Sequence, residues 1–332
     1  MKKIILSFVV SLVFACSFVQ AQDPHFSQFY ANPLYTNPAL AGSAVCPRFS
    51  LSYRDQWPTL GAFKTFSASY DQYIDALAGG IGVTIMSDMQ SEFYRTNTAA
   101  LIYSLRLKLS NDVFLNLAAQ ASVTNRSLDW DQLSFPDMID PRYGFIYSTM
   151  AARPEQLSHT YVDFGAAFVL YGENWYVGGA ANNLTRPNDG FISYNRIPMR
   201  FTANGGIRLN LSRDKRRTND LFGQPIISPN VIYSYQGASK GAFQMLNYGV
   251  YLDWSPFIVG TWYRQSIGFD NSDALILLFG IQYDKLKIGY SYDITVSQLS
   301  NASGGAHEIT LGMQLPCPEK RKKIQAIKCP SF

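Results

Sequence analysis

Charge is scarce in this chain of 332 residues: Asp, Glu, Lys and Arg make up 16% of it, against roughly 25% in ordinary soluble proteins. The formal net charge of +4 is too small to argue for a nucleic-acid partner. Cysteine and histidine are scarcer still. Cys16, Cys46, Cys317 and Cys329 include no Cys-x-x-Cys, and His25, His159 and His307 are the only imidazoles, which excludes the usual zinc and dithiol motifs. No G-x-S-x-G, P-loop or H-E-x-x-H occurs. Gly79-Gly80-Ile81-Gly82 lies inside a strand pattern and reads as a bend or bulge rather than a phosphate cradle. Asp137 and Asp140 are spaced as acid–base carboxylates can be, but they lie in a long loop with no histidine nearby and read as turn residues. From these absences we expect no enzyme, no metal site and no cofactor. Past residue 21, no apolar run approaches the ~18 residues a membrane helix needs.

What the chain has in excess is aromatic side chains, 14% of the total with 21 Tyr and 22 Phe. Its start is also distinctive. Met1-Lys2-Lys3 is basic, Ile4 to Val19 is almost wholly apolar, and Val19-Gln20-Ala21 closes with small residues, so residues 1–21 read as a secretory signal peptide cut after Ala21. Val13-Phe14-Ala15-Cys16 faintly resembles a lipoprotein site and ranks second, because Phe14 suits it poorly. An exported chain that is aromatic-rich, charge-poor and free of long apolar runs suits an all-β outer-membrane barrel.

The strand signal is clear. From Lys285 to Ile294, the residues Leu286, Ile288, Tyr290, Tyr292 and Ile294 share one face, opposite Lys287, Gly289, Ser291 and Asp293. The same period of two recurs over 308–315, 113–121 and 99–108. It predicts about fourteen strands, with tight turns at 109–111, 172–173, 254–256 and 284 alternating largely with longer links such as 125–158, 184–198 and those after strands 11 and 13. The link 212–224 is the long exception on the tight-turn side. An even count brings both termini to one side, the periplasmic one in this reading. Tyr70, Tyr103, Tyr171, Trp175, Tyr251, Trp254, Trp262, Tyr263 and Tyr283 stand near strand ends and suggest interfacial girdles. The predicted architecture is a transmembrane antiparallel up-and-down β-barrel over 46–316, preceded by a non-strand segment at 22–45 and followed by a basic periplasmic tail at 317–332.

The segment Gln22-Asp-Pro-His-Phe-Ser-Gln-Phe-Tyr-Ala-Asn-Pro-Leu-Tyr-Thr-Asn-Pro-Ala-Leu-Ala-Gly-Ser43 has the period of neither a strand nor a helix. Pro33 and Pro38 remove backbone donors and disfavour helix at Asn32 and Asn37, so a turned segment is expected, with its amides and aromatics in need of partners. A polar barrel lumen supplies them, which places the segment in or under the periplasmic mouth as a plug or a partner surface. Within it, Gln22, Asp23, Phe26, Gln28, Tyr30, Asn32, Pro33, Asn37, Pro38 and Gly42 are the candidate functional residues.

That segment resembles the start of mature proteins of the PorP/SprF family, outer-membrane barrels of the type IX secretion system. Tyr53-Arg54-Asp55-Gln56-Trp57-Pro58, Leu133-Ser134-Phe135-Pro136-Asp137-Met138-Ile139-Asp140-Pro141 and His307-Glu308-Ile309 also match the family. Cys46 and the basic, cysteine-bearing tail depart from it and leave the subgroup open. The resemblance implies a helper of secretion or gliding at the outer membrane of a Gram-negative bacterium. One branch implies contact with large secreted adhesins or their C-terminal sorting domain; the other implies a link to the periplasmic secretion motor. Both involve periplasmic or outer-membrane components of the system and outer-membrane lipid. A passive solute channel on the same fold is the competing expectation.

Three further sets of candidates follow from position. The long outer links offer Trp130, Phe135, Pro136, Asp137, Asp140 and Pro141 for recognition or as a lid. Lys320, Arg321, Lys322 and Lys323 offer a docking charge for an acidic periplasmic partner, as do Arg213, Lys215, Arg216 and Arg217. Cys46 precedes the first predicted strand and Cys317 follows the last, so closure of the barrel sets them side by side where an oxidising compartment permits a disulfide. Cys317–Cys329 is the alternative pairing.

Overall fold

The computed structural model describes residues 23–59, 61, 63–191, 194–211, 225–237, 242–267, 272–296 and 304–317. Fourteen antiparallel strands form its wall: β1 Arg48–Gln56, β2 Phe63–Ile74, β3 Gly79–Gln90, β4 Tyr94–Lys108, β5 Phe114–Leu128, β6 Ser158–Tyr171, β7 Trp175–Asn182, β8 Arg200–Ile207, β9 Ile226–Gln236, β10 Phe243–Trp254, β11 Phe257–Ser266, β12 Ser272–Tyr283, β13 Leu286–Thr295 and β14 Ala306–Gln314. Leu209–Asn210 extends β8 past a break at Arg208 and also pairs with β9. Every strand pairs with its neighbours in sequence, and β1 pairs with β14 from Arg48↔Gln314 to Gln56↔Ala306. The sheet is therefore closed and has no edge.

Along β1, Arg48, Ser50, Ser52 and Arg54 are buried while Phe49, Leu51 and Tyr53 are exposed. This inverts the pattern of a water-soluble barrel. The large apolar side chains point outward without covering, as with Leu101 at 65%, Ile85 at 56% and Ile309 at 53% exposure. An outward apolar band around a polar interior is stable only against lipid. No helix among the described residues is long and apolar enough to cross a membrane, so the strands do the crossing.

β1 begins and β14 ends at one rim, here the terminal rim, which also carries the turns after β2, β4, β6, β10 and β12. The distal rim carries the links 129–157 and 183–199. Its connections are uneven: 91–93 and 267–271 are short, against the long link expected after β11. There the β11–β12 pairing reaches Gln265↔Ser272, with a register shift beyond Arg264. The link 212–224 lies outside the described residues.

The girdle expectation needs a second correction. Tyr103, Trp175, Trp254 and Tyr283 do face outward at the terminal rim, but Tyr171, Tyr251 and Trp262 are almost fully buried and face the lumen. There β11 and β12 are apolar on their inner face as well, through Ile258, Trp262, Ile276 and Leu278, because an internal segment packs against them.

Candidate functional site

That internal segment is 23–45. Pro33–Thr36 makes one helical turn and Pro38–Leu40 a 3-10 turn, each opened by proline at a position where its missing N–H costs nothing. Asn37 joins them: its Oδ1 accepts from Ala39 N at 2.9 Å. The segment goes deeper than the mouth and runs through the lumen. Its first described residue, Asp23, reaches the distal rim, where it pairs with Arg200 at 3.3 Å and accepts from Asn183 Nδ2 at 3.3 Å. Its end joins β1 at the terminal rim.

The partners change level by level. Asp23 N donates to Gln236 Oε1 at 3.3 Å, and the Phe26 ring sits edge-on to Tyr35 at 5.1 Å. Lower down, Ser27 and Gln28 meet a buried charge cluster. Glu308 accepts from Ser27 N at 2.6 Å and from Gln28 N at 3.1 Å. Gln28 Nε2 donates to the Glu308 carbonyl at 2.9 Å, and its Oε1 accepts from Thr310 Oγ1 at 2.7 Å. Arg54 bridges Asp293 at 2.8 Å and Glu308 at 3.2 Å, and Arg264 adds a contact to Asp293 at 3.1 Å. Both guanidiniums also donate to Ser27 Oγ, which in turn donates to Asp293 at 2.6 Å. Two cations and two anions balance in a site withdrawn from water, and the segment's own backbone completes their hydrogen bonds.

Next come Phe29 and Tyr30, packed on Trp262 at 5.1 and 6.0 Å between ring centres, with the Tyr30 hydroxyl bonded to that of Tyr176. Burial of side chains such as Phe29, Leu34 and Leu40 contributes roughly 1.5–3 kcal/mol each. Asn32 Nδ2 donates to Ser67 Oγ at 3.0 Å, and Asn37 Nδ2 to the Phe168 carbonyl at 3.1 Å and to Asn204 Oδ1 at 3.0 Å. The Ala39 carbonyl accepts from Ser104 and Asn116. Near the terminal rim, Gly42 N donates to Asp71 at 2.8 Å, and Asp71 pairs with Arg48 at 2.9 Å. The segment thus touches strands around the barrel from inside its lumen.

Cys46 and Cys317 are bonded, with Cα atoms 4.7 Å apart, beside the β1–β14 seam. Gln22 and the basic residues Lys320, Arg321, Lys322 and Lys323 lie outside the described residues, as do Arg213, Lys215, Arg216, Arg217 and Cys329. So does the signal segment 1–21.

The distal candidates form a separate structured unit. Trp130 packs on Phe135 at 4.9 Å, Pro136 starts a 3-10 turn, and Ile139–Asp140 pairs with Gly144–Phe145 around the exposed turn at Pro141. Two exposed carboxylates hold it. Asp137 accepts from Met150 N at 2.6 Å and from Thr149 Oγ1, and Asp140 from Arg142 N at 2.8 Å, Tyr143 N and the Tyr147 hydroxyl. These bonds, the backbone ones first, hold both carboxyls below the usual aspartate range. Tyr143, Phe145, Tyr147 and Met150 remain exposed on its surface. The second long link behaves differently: Asp189 and Ile197 are buried, and Asp189 pairs with Arg126, so the described residues around these two turn in at the distal mouth.

Sequence reasoning placed the internal segment but missed its anchors Glu308, Asp293, Arg264, Asp71 and Arg200. Their signal was charge on the lumen-facing positions of strands that carry at most one other charge.

A closed, lipid-facing barrel with a non-strand segment inside it defines an outer-membrane β-barrel protein. The described barrel is similar to the CymD monoaromatic hydrocarbon channel, at 11% identity over 86% of this chain and 93% of that one, with a TM-score of 0.50. It is also similar to the P. putida toluene transporter TodX, at 8% identity over 84% and 93% with a TM-score of 0.48. A third likeness is to the Acinetobacter baumannii outer membrane protein Omp33, at 10% identity over 82% and 100% with a TM-score of 0.43. At such identities the CymD likeness speaks for the fold alone. No curated protein matches the sequence. The profile of the type IX secretion system membrane protein PorP/SprF matches residues 18–313, nearly the whole chain, and the chain belongs to that family. Three of the family-like stretches meet in the lumen: Ser27 and Gln28 from the first, Arg54 from the second and Glu308 from the third.

Proposed function

We propose that this chain serves type IX secretion at the outer membrane through protein–protein contacts, supporting the secretion or surface retention of large adhesin-type proteins. The observation that carries the reading is the segment inside the lumen: residues 23–45 lie in the path a solute would take, with bonds to β1, β2, β4 to β9, β11, β13 and β14. A passive channel needs that path open. With transport disfavoured, the preorganised surface at 129–157 becomes the natural recognition element toward cargo or its C-terminal sorting domain. In this reading the terminal rim is periplasmic, as the short turns there suggest. The tail beyond Cys317, with Lys320–Lys323, then faces the periplasmic components of the system.

The deciding experiment is a deletion strain complemented with the full chain or with a chain lacking 133–150. Loss of surface adhesin in the deletion, restored by the full chain alone, supports the reading. Normal surface adhesin in the deletion strain, together with steady ion conductance of the purified protein in planar bilayers, favours the solute channel.

A further inference from the structure

On the outer surface of β3 to β6, the apolar run stops at Ile85, Ala99, Val123 and Val162, which are exposed and in register across the four strands. Toward the distal rim the next outward position on each strand is polar: Ser87, Asn97, Asn125 and Thr160. Asn125 Nδ2 donates to Thr160 Oγ1 at 2.8 Å and to Ser158 Oγ at 2.9 Å on this outer surface. Two cations follow. Arg95 on β4 is one outward position beyond Asn97, and Lys64 on β2 is one beyond the apolar Phe66. Both are exposed and face away from the lumen, since they alternate with the buried Thr96 and Thr65. Met89 of β3 lies between them in the ladder, opposite Lys64 on one side and Arg95 on the other. Neither cation has an ion pair or hydrogen bond among the described residues.

At the rise and tilt usual for barrel strands, Lys64 stands about 5 Å and Arg95 about 10 Å beyond the last apolar outward side chain of its own strand. The head-group zone of a leaflet is about 5–8 Å deep. Long basic side chains lay their stems on apolar surface and reach back into that zone, so both charges meet the level of lipid phosphates. Two acids share this rim, Asp55 and Glu92, and both stand outside the gap between the cations. Asp55 on β1 flanks Lys64 on the side away from Arg95, and Glu92 lies in the turn that precedes β4. The outer surface below the gap, formed by Phe66, Ser87 and Asn97, is uncharged.

We propose that this outer patch binds a phosphorylated glycolipid of the surface leaflet. A phosphate sits between Lys64 and Arg95, sugar hydroxyls meet Asn97, Asn125 and Thr160, and the acyl chains lie on the apolar wall beneath. A lone phosphate would engage the two cations only. The polar row over β3 to β6 is about 14 Å wide at the usual strand spacing and suits a head group built of sugars. The proposal rests on the reading above that the terminal rim is periplasmic, which sets the distal rim in the surface leaflet, and it is independent of the cargo.

The test is native mass spectrometry of the purified full-length protein in detergent, titrated with bisphosphorylated lipid A, its dephosphorylated form, phosphatidylglycerol and phosphatidylethanolamine. The bisphosphorylated glycolipid should bind saturably and stay bound against millimolar inorganic phosphate. Lys64→Gln/Arg95→Gln should weaken it about tenfold, the loss expected for two charge-assisted contacts at an exposed site. Heat-modifiable migration on gels reports whether the variant barrel is folded. If it is not, Asn97→Leu/Asn125→Leu keeps both charges, removes the sugar contacts and should also weaken binding. Orientation is read separately from Ser148→Cys in the distal link, treated with a membrane-impermeant maleimide on intact cells and again after solubilisation. Labelling on intact cells without glycolipid binding overturns the lipid site. So do equal binding of phosphatidylglycerol or the dephosphorylated form, displacement by free phosphate, and unchanged binding in a folded variant. Labelling only after solubilisation overturns the orientation, and with it the surface leaflet as the source of the lipid.

Discussion

Gly42 and Gly80 meet backbone to backbone. A Cβ on Gly42 would stand 2.6 Å from the Gly80 Cα, and a Cβ on Gly80 would stand 2.1 Å from the Ala41 carbonyl oxygen. The glycine-rich start of β3 is thus neither a phosphate cradle nor a bulge, since β3 pairs regularly with β2 through Gly79 and Gly80. It is a place where the plug's chain packs on the wall backbone to backbone. Gly42 adds a φ of +69°, which L side chains rarely adopt.

Substitution at this contact should loosen the plug and spare the strands. For Gly80→Ala the expected cost is about 1–3 kcal/mol, the usual range for overpacking, because both neighbours in the clash are backbone. Gly42→Ala adds conformational strain of roughly 1–2 kcal/mol. Bilayer recordings and limited proteolysis of 23–45 check this: raised conductance and faster cleavage with the barrel still folded are expected, and unchanged traces would show that the contact does not hold the plug.

Glu308 should matter more. It is fully buried, pairs with Arg54 and accepts two backbone N–H groups of the plug. Glu308→Ala strands Arg54 beside Arg264, with Asp293 as their shared anion, and orphans both amides. Removing one partner of a buried pair costs about 3–5 kcal/mol. We expect a lower denaturation midpoint and a protease-sensitive plug, whereas Glu308→Gln keeps an acceptor and should show an intermediate loss. Equal stability of the two variants would mean that charge, and not hydrogen bonding, is what holds Ser27 and Gln28.

The wall and the site differ in how far the sequence reveals them. Period-two alternation, as in Leu286 to Ile294, marks strands because each residue's environment, lipid or lumen, is set by its own side of the sheet. The inner face of β12 breaks that rule: Ile276 and Leu278 look outward-facing by composition but pack near Phe29 and Tyr30 in one apolar cluster, so only knowledge of the plug explains them. The charge cluster was hidden for a related reason. Arg54, Arg264, Asp293 and Glu308 come from four strands, and nothing local in sequence says that closure of the barrel brings them within hydrogen-bond range of Ser27. Tyr30 and Asn37 could be chosen as residues in need of partners; Tyr176 and Asn204 could not be chosen as the partners.

The distal loop should answer to acid. Asp137 and Asp140 are held below the ordinary aspartate range by backbone amides, so the ordering they provide is fully present above about pH 4, the unfolded value. It is lost only as pH falls through their lowered folded values. Hydrogen exchange at Met150, Arg142 and Tyr143 should stay protected from neutral pH down to mild acid and rise below it. Asp137→Asn and Asp140→Asn should show raised exchange already at neutral pH, since an amide oxygen is a weaker acceptor than a carboxylate. Protection that is flat through acid would mean the loop is held by Trp130–Phe135 packing instead.

The Cys46–Cys317 bond closes a covalent ring of almost the whole barrel, with a sequence separation of 271, across the seam where β1 meets β14. In the chain-entropy account, so long a loop gains roughly 5–6 kcal/mol, above the typical range, because it removes the most freedom from the unfolded chain. The seam is also held by its own ladder and by the plug, whose Ser27 and Gln28 bind β14 just as Arg54 of β1 does. Loss of the bond should therefore lower the unfolding midpoint without opening the barrel. Cys46→Ser is expected to melt earlier than the unsubstituted protein, and reductant should shift the unsubstituted protein toward the variant while leaving the variant unmoved. Non-reducing peptide mapping should recover the Cys46 and Cys317 peptides as one linked species. Recovery of Cys317 linked to Cys329 would instead assign the bond to the tail, and the stability difference at Cys46 should then vanish.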